Sequence, residues 1–199
     1  SLAYDLAGRR TSVVTDGGSR QSYQYDAAGN ITGLEDGNGR HTAYVTDLWG
    51  RIEQVTAPDG STEKYCYDLA GNVTQATDGN GNTVTYAYNC INRLAARRDA
   101  AGAEETFLYD REGRLYEHTD RDGRVERYRY NMYGEPTEHT APQSGLMESW
   151  QYDHMGQLSS AISAGMKYEY SYYPGGLLRE KRASGRTLMS YTYDLDGRK

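Results

Sequence analysis

An aromatic couplet returns every 21 residues and runs the length of the chain. Its second member is Tyr4, Tyr25, Tyr67, Tyr88, Tyr109, Tyr130, Tyr152, Tyr172 or Tyr193. Two residues earlier stands Leu2, Tyr23, Tyr44, Tyr65, Tyr86, Phe107, Tyr128, Trp150, Tyr170 or Tyr191. One interval is 22 residues and one is 20. The single gap in the second column is Thr46, still followed by Asp47. Four residues after the second column comes Gly8, Gly29, Gly50, Gly71, Gly113, Gly134, Gly156, Gly176 or Gly197, with Asn92 as the exception. Asn is the next-best residue for a left-handed backbone. Two residues further on come Ile31, Ile52, Val73, Leu94, Leu115, Leu158 and Leu178. Residues 1–199 therefore read as one repeat array, with units beginning near 2, 23, 44, 65, 86, 107, 128, 150, 170 and 191.

Each unit reads as two strands and two turns. From Thr83 to Tyr88, Val84, Tyr86 and Tyr88 alternate onto one face, which is a strand signal; Asn72 to Thr77 is the partner strand. Asp78-Gly79 has hairpin-turn chemistry, and Asp36-Gly37, Asp59-Gly60 and Asp122-Gly123 are read as matching places. The other turn follows the couplet. Asp5, Asp26, Asp47, Asp68, Asn89, Asp110, Asn131, Asp153 or Asp194 opens it and Gly or Asn92 closes it. Asp at the first position and Gly at the fourth suit a type I turn. A lone hairpin is marginal in water, so the units must stand side by side, with the couplets forming aromatic columns on one face. Twenty strands at about 4.8 Å would extend roughly 95 Å. A sheet so wide coils through its own twist. The expected class is all-β, an array of about ten hairpins in a curved or spiralling sheet.

Leu, Ile, Val and Phe number 26 of 199, a poverty that ordinarily signals disorder. Net charge of −6 is too small to hold a chain open, and 20 tyrosines stand in for the missing aliphatics. The slight acidity argues against nucleic acid as a partner. No apolar run approaches the 18 residues of a membrane span, and no leader pattern is visible. Cys66 and Cys90 read as free thiols without metal-ligand spacing.

The unit Tyr25-Asp26-Ala27-Ala28-Gly29-Asn30-Ile31, followed by x-Thr-x-x-x-Asp-Gly, resembles the YD repeat of the Rhs family. The resemblance covers all ten units. It implies an array that spirals into a section of a hollow β-shell. In bacterial polymorphic toxins and toxin complexes similar shells enclose a toxin domain; in teneurins a similar shell is extracellular. The plain turns and the lack of disulfides look bacterial, which implies an exported or cell-surface toxin protein. Family members end the shell in an Asp-Pro-x-Gly self-cleavage core. The prolines here follow Ala57, Glu135, Ala141 and Tyr173, so that activity does not carry over. The chain reads as an interior segment whose strand edges would pair with adjacent repeats or another copy.

Chemical motifs yield little. Asp78-Gly79-Asn80-Gly81-Asn82 imitates the start of a calcium loop, but Thr83 and Asn89 occupy the positions that need Gly and Glu. His118 and His139 are 21 residues apart, and neighbouring repeats could gather them with Glu117 and Glu138. The repeated aspartates fit a repeated turn better than a catalytic pair. The expectation is a wall that encapsulates a toxin or cargo polypeptide, with no catalytic, cofactor or metal residues. The alternative is a module that binds glycans or cell surfaces through its aromatic ladders.

Overall fold

A computed structural model describes residues 1–194 and 196–199. The chain divides into two compact units, Ser1–Glu104 and Glu105–Lys199. The first holds β1 (Leu2–Tyr4), β2 (Arg10–Val14), β3 (Arg20–Tyr25), β4 (Ile31–Glu35), β5 (His41–Thr46), β6 (Ile52–Thr56), β7 (Thr62–Tyr67), β8 (Val73–Thr77), β9 (Thr83–Tyr88) and β10 (Leu94–Arg98). The boundary falls within β11 (Glu104–Tyr109). The second unit continues with β12 (Leu115–Thr119), β13 (Val125–Tyr130), β14 (Pro136–Ala141), β15 (Leu146–Tyr152), β16 (Leu158–Ser163), β17 (Met166–Tyr172), β18 (Leu178–Ala183) and β19 (Arg186–Ser190). Within each unit, strands adjacent in sequence pair antiparallel. One 3-10 turn, Pro142–Ser144, interrupts the strands. The all-β hairpin array is thus the observed fold.

The couplets do not stack ring on ring from unit to unit. An intervening strand separates them and supplies the cross-strand partner: Leu34 opposite Tyr23, Val55 opposite Tyr44, Ala76 opposite Tyr65, His118 opposite Phe107 and His139 opposite Tyr128. Burial is shallow. Ala161 and Ala183 are the buried apolar residues, Ser12 is the buried polar one, and no large side chain is fully buried among the described residues. The chain exposes 13581 Å², where a packed protein of its mass exposes about 9400 Å². Ladder hydrogen bonds and cross-strand pairs therefore carry a larger share of stability than core burial does.

The second turn of each unit corrects the reading of its Asp-Gly pairs. Gly79 and Gly37 follow the opening aspartate directly and have ordinary backbone, while Gly81 (φ 85°) and Gly39 (φ 75°) take the left-handed position. In Asp59-Gly60 and Asp122-Gly123 the glycine itself is left-handed, because Ala57 and Asp120 open those turns. The four pairs are therefore not equivalent. What recurs is a residue whose carbonyl accepts from a glycine N–H three positions on, followed by a bulge. Type I geometry then left-handed Gly is the three-residue hairpin loop. A two-residue Asp-Gly turn would need positive φ at both residues, and no aspartate among the described residues has it.

Variation in repeat length falls at this second turn. Ala164-Gly165 and Ser184-Gly185 are two-residue loops with both residues left-handed. The 3-10 segment makes a longer loop between Ala141 and Leu146. The Ala164-Gly165 loop accounts for the 20-residue interval and the 3-10 segment for the 22-residue one, while in the last unit a bulge at Leu188, where pairing steps from Met189 to Thr187, restores 21. The turn after the couplet keeps one length.

Adjacent glycines offer a test. A methyl group on Gly17 meets nothing within 4 Å and its backbone is ordinary, whereas Gly18 has φ 80°. Gly17→Ala is expected to stabilise by about 0.4–1 kcal/mol through the unfolded chain, and Gly18→Ala to destabilise by about 1–2 kcal/mol. Urea unfolding of the two variants measures both.

Candidate functional site

The turn after the couplet is closed by its own side chain. In the first unit Ala7 and Arg9 both donate backbone N–H to Asp5 Oδ1 at 2.9 Å. The Arg9 Nε donates to Asp5 Oδ2 at 2.7 Å. In the fourth, Asn72 donates its N–H and its side-chain amide to the two oxygens of Asp68, at 2.8 and 2.9 Å. Asp26, Asp47, Asp110, Asp153 and Asp194 accept in the same way. Asn89 and Asn131 do so through their amide oxygens. The closing residues Gly8, Gly29, Gly71, Gly113, Gly134, Gly156, Gly176 and Gly197 are all left-handed, as is Asn92 (φ 59°). These bonds favour the charged carboxylate. Asp5 is held below the usual value by the Arg9 N–H and then the Arg9 side chain; Asp68 is lowered by the Asn72 amide and then the Asn72 N–H. Asp78, which opens the segment that imitates a calcium loop, accepts from Asn80, Asn82 and the Asn82 amide within its own turn.

Two further kinds of side chain tie turns to the adjacent unit. Ladder pairing between successive hairpins stops short of the couplet turn. Between β6 and β7, for example, it ends at Gln54 opposite Lys64. Beyond that point the carbonyl of Ile52 accepts from the Tyr67 hydroxyl at 2.8 Å. Tyr25, Tyr88, Tyr130, Tyr172 and Tyr193 donate likewise to Arg10, Val73, Leu115, Leu158 and Leu178. The requirement for a hydroxyl at the ring tip explains Tyr over Phe in this column. Arg9, Arg51 and Arg114 reach forward, donating Nη1 to the carbonyls of Asp26, Asp68 and Asn131 at 2.9, 3.0 and 3.1 Å. Their guanidinium groups lie 4.9, 4.6 and 4.8 Å from the ring centres of Tyr25, Tyr67 and Tyr130. The signal that could have found them is the polar residue after the turn glycine, as in Gly8-Arg9, Gly50-Arg51 and Gly113-Arg114.

The sheet therefore has two unlike faces. The tyrosine face also carries His118 and His139. His118 stacks on Phe107 (4.9 Å) and His139 on Tyr128 (4.6 Å, planes 2° apart). His118 Nε2 is 3.0 Å from Glu105, and His139 lies 3.5 Å from Glu126 and 3.6 Å from Glu148. The expected companions Glu117 and Glu138 are on the other face, because neighbours along a strand point oppositely; they pair with Arg127 and Arg129. The Tyr128 phenol is pushed up to about 12, first by burial and then by its bond to Glu126. The opposite face is charged, with Lys167–Glu169 and Arg182–Glu180 among its pairs. Cys66 and Cys90 are free and exposed.

This geometry is that of a repeat, and comparison with known proteins agrees. The RHS repeat model matches residues 4–41, 67–104 and 109–146. The chain belongs to the RHS repeat family. No curated protein sequence matches it. Among solved structures, the TcdB2-TccC3-TEV crystal structure superposes with TM-score 0.69 at 16% identity, covering 97% of this chain and 12% of that one. TcdB2-TccC3 without its hypervariable C-terminal region gives the same figures. TcdB2-TccC3-Cdc42 gives TM-score 0.52 at 16% identity over 98% and 13%. At such identity the likeness establishes a shared fold, and the chain spans about an eighth of the length of those proteins.

Two expectations follow for the RHS turn. A carboxylate whose folded pKa is lowered stabilises fully above its unfolded value, near 3.8, and loses that contribution as pH falls through the folded value. Melting temperature should be flat from neutral pH to about 5 and decline below 3.8. Asp68→Asn, which copies Asn89 and Asn131, should fold and show a shallower decline. Tyr67→Phe should cost about 0.5–1.5 kcal/mol by leaving the Ile52 carbonyl without its hydroxyl, read by urea unfolding.

Proposed function

We propose that this RHS segment is a length of shell wall in a bacterial toxin protein. It encloses a toxin or other cargo polypeptide and performs no chemistry itself. The observation that carries the reading is a sheet without a packed core whose hairpins are nevertheless tied turn to turn by Asp, Tyr and Arg. Such a sheet is suited to enclosing space rather than to building a pocket. Its repeated carboxylates are engaged by their own turns, which leaves them poorly placed for acid–base work. The fold shared with TcdB2-TccC3 supports the same reading. Export as part of the toxin protein belongs to this proposal.

The tyrosine face is the side proposed to meet the cargo. Its rings are half-covered, and the hydroxyls of Tyr25, Tyr67, Tyr88, Tyr130, Tyr172 and Tyr193 are engaged by backbone carbonyls. A glycan-binding role is less favoured, because Arg guanidinium groups already lie over the rings of Tyr25, Tyr67 and Tyr130. Sugars would need those ring faces.

Limited trypsin digestion of the full-length parent protein tests the proposal. Enclosure predicts that segments outside the array survive until the array itself is cut. Digestion of those segments at the rate of the free polypeptide would overturn it. A glycan array discriminates the alternative: sugar binding lost on Tyr→Ala changes would favour a surface-binding module.

A further inference from the structure

The one interruption in the tyrosine column has a structural consequence. Thr46 stands where the neighbouring units have Tyr25 and Tyr67. A cleft of about 410 Å³ lies over it, walled by Ile31, Leu34, Tyr44 and Ile52, with Asn30 and Gly50 at its turn end. A benzene-sized ligand needs about 150 Å³. Ile52 is the cross-strand partner of Thr46, and Ile31 is the partner of Tyr25 in the preceding hairpin. The seven aliphatics that follow the turn glycine allow a comparison. Val73, Leu94, Leu115, Leu158 and Leu178 are half-buried. Ile31 and Ile52, the two flanking Thr46, are exposed at 41% and 38%. The missing ring has uncovered both walls.

The polar end of the cleft follows from the repeat. Elsewhere a tyrosine hydroxyl donates to the carbonyl fifteen residues earlier, as Tyr67 does to Ile52 and Tyr88 to Val73. The equivalent acceptor for position 46 is the Ile31 carbonyl. Pairing of β4 with β5 ends at Gly33 opposite Ala43, so it lies beyond the ladder, as those acceptors do. Thr46 lacks the ring that carries a hydroxyl to those acceptors in the other units.

We propose that this cleft is a binding site for a para-substituted phenol, whether a free small molecule or a tyrosyl side chain of a polypeptide. The ring packs between Ile31 and Ile52, the hydroxyl donates to the Ile31 carbonyl, and the para substituent leaves over Thr46. The ligand completes from outside the arrangement that the other units complete with their own tyrosine. The proposal stands on the cleft and does not require the shell reading.

The chain has four isoleucines, Ile31, Ile52, Ile91 and Ile162, so isoleucine-methyl NMR gives a simple readout with two internal controls. Titration with p-cresol should shift Ile31 and Ile52 saturably, with Kd on the order of 1 mM, and leave Ile91 and Ile162 in place. Toluene, which lacks the hydroxyl, should bind roughly fivefold more weakly. N-acetyl-tyrosinamide separates the sources. Shifts matching those of p-cresol assign the site to tyrosyl side chains as well, and shifts with p-cresol alone assign it to small phenols. Thr46→Tyr should fill the cleft, raise Tm and abolish the shifts. Thr46→Phe should abolish them with a smaller gain in Tm. Equal movement of all four methyl groups, toluene binding as tightly as p-cresol, or binding that persists in both folded variants would overturn the proposal.

Discussion

The bond on which the rest of this structure depends is the one from backbone N–H groups to the side-chain oxygen that opens each couplet turn. A single carboxylate or amide oxygen accepts from the residues two and four positions on, so the turn has one length and one exit direction. That constancy fixes the register between each couplet strand and its partner, with Tyr25 opposite Ile31 and Tyr67 opposite Val73 alike. The second turn varies, and there the chain admits two-residue loops, three-residue loops and a 3-10 segment. Tyr173-Pro174-Gly175-Gly176 shows that the same backbone bonds form without an acidic side chain when Pro and Gly restrict the turn.

A sheet with so little buried surface needs other cohesion. The tyrosine hydroxyls supply part of it where ladder pairing between hairpins stops, by meeting carbonyls that the next strand does not reach. The arginines supply another part, joining a carboxylate in their own turn, a carbonyl in the next and the face of the intervening ring. Each contact alone is small and partly exposed. Repeated along the array, they stitch hairpin ends that backbone pairing leaves open. This also explains a composition poor in aliphatics and rich in Tyr and Arg, since the contacts that matter are apolar along the ring and polar at the tip.

Much of this was legible beforehand. The period, the two strands per unit, the left-handed glycines and Asn92, and the turn role of Asp5 through Asp194 all follow from local rules about backbone and side chain. Other readings failed for reasons equally physical. Asp36-Gly37 and Asp78-Gly79 looked like Asp59-Gly60, but only the hydrogen-bond pattern shows which residue opens each turn. Glu117 and Glu138 are sequence neighbours of the histidines, yet strand alternation puts them on the far side. Glu105, Glu126 and Glu148 come from other strands and occupy the positions those residues were expected to take.

The sequence by itself determined the all-β repeat, its family and the turn that sets its phase, because a 21-residue recurrence and the preferences of Asp, Asn and Gly act within a few residues of chain. Only the tertiary structure decided what each tyrosine hydroxyl and each turn arginine holds. Their partners lie 14 to 17 residues away in an adjacent hairpin, the preceding one for tyrosine and the next one for arginine, and strand register alone brings them together. Thr46 shows the difference most directly. In the sequence it is a gap in a pattern; in the folded sheet it is a cleft between Ile31 and Ile52, since a ring missing from one strand uncovers the walls supplied by two others.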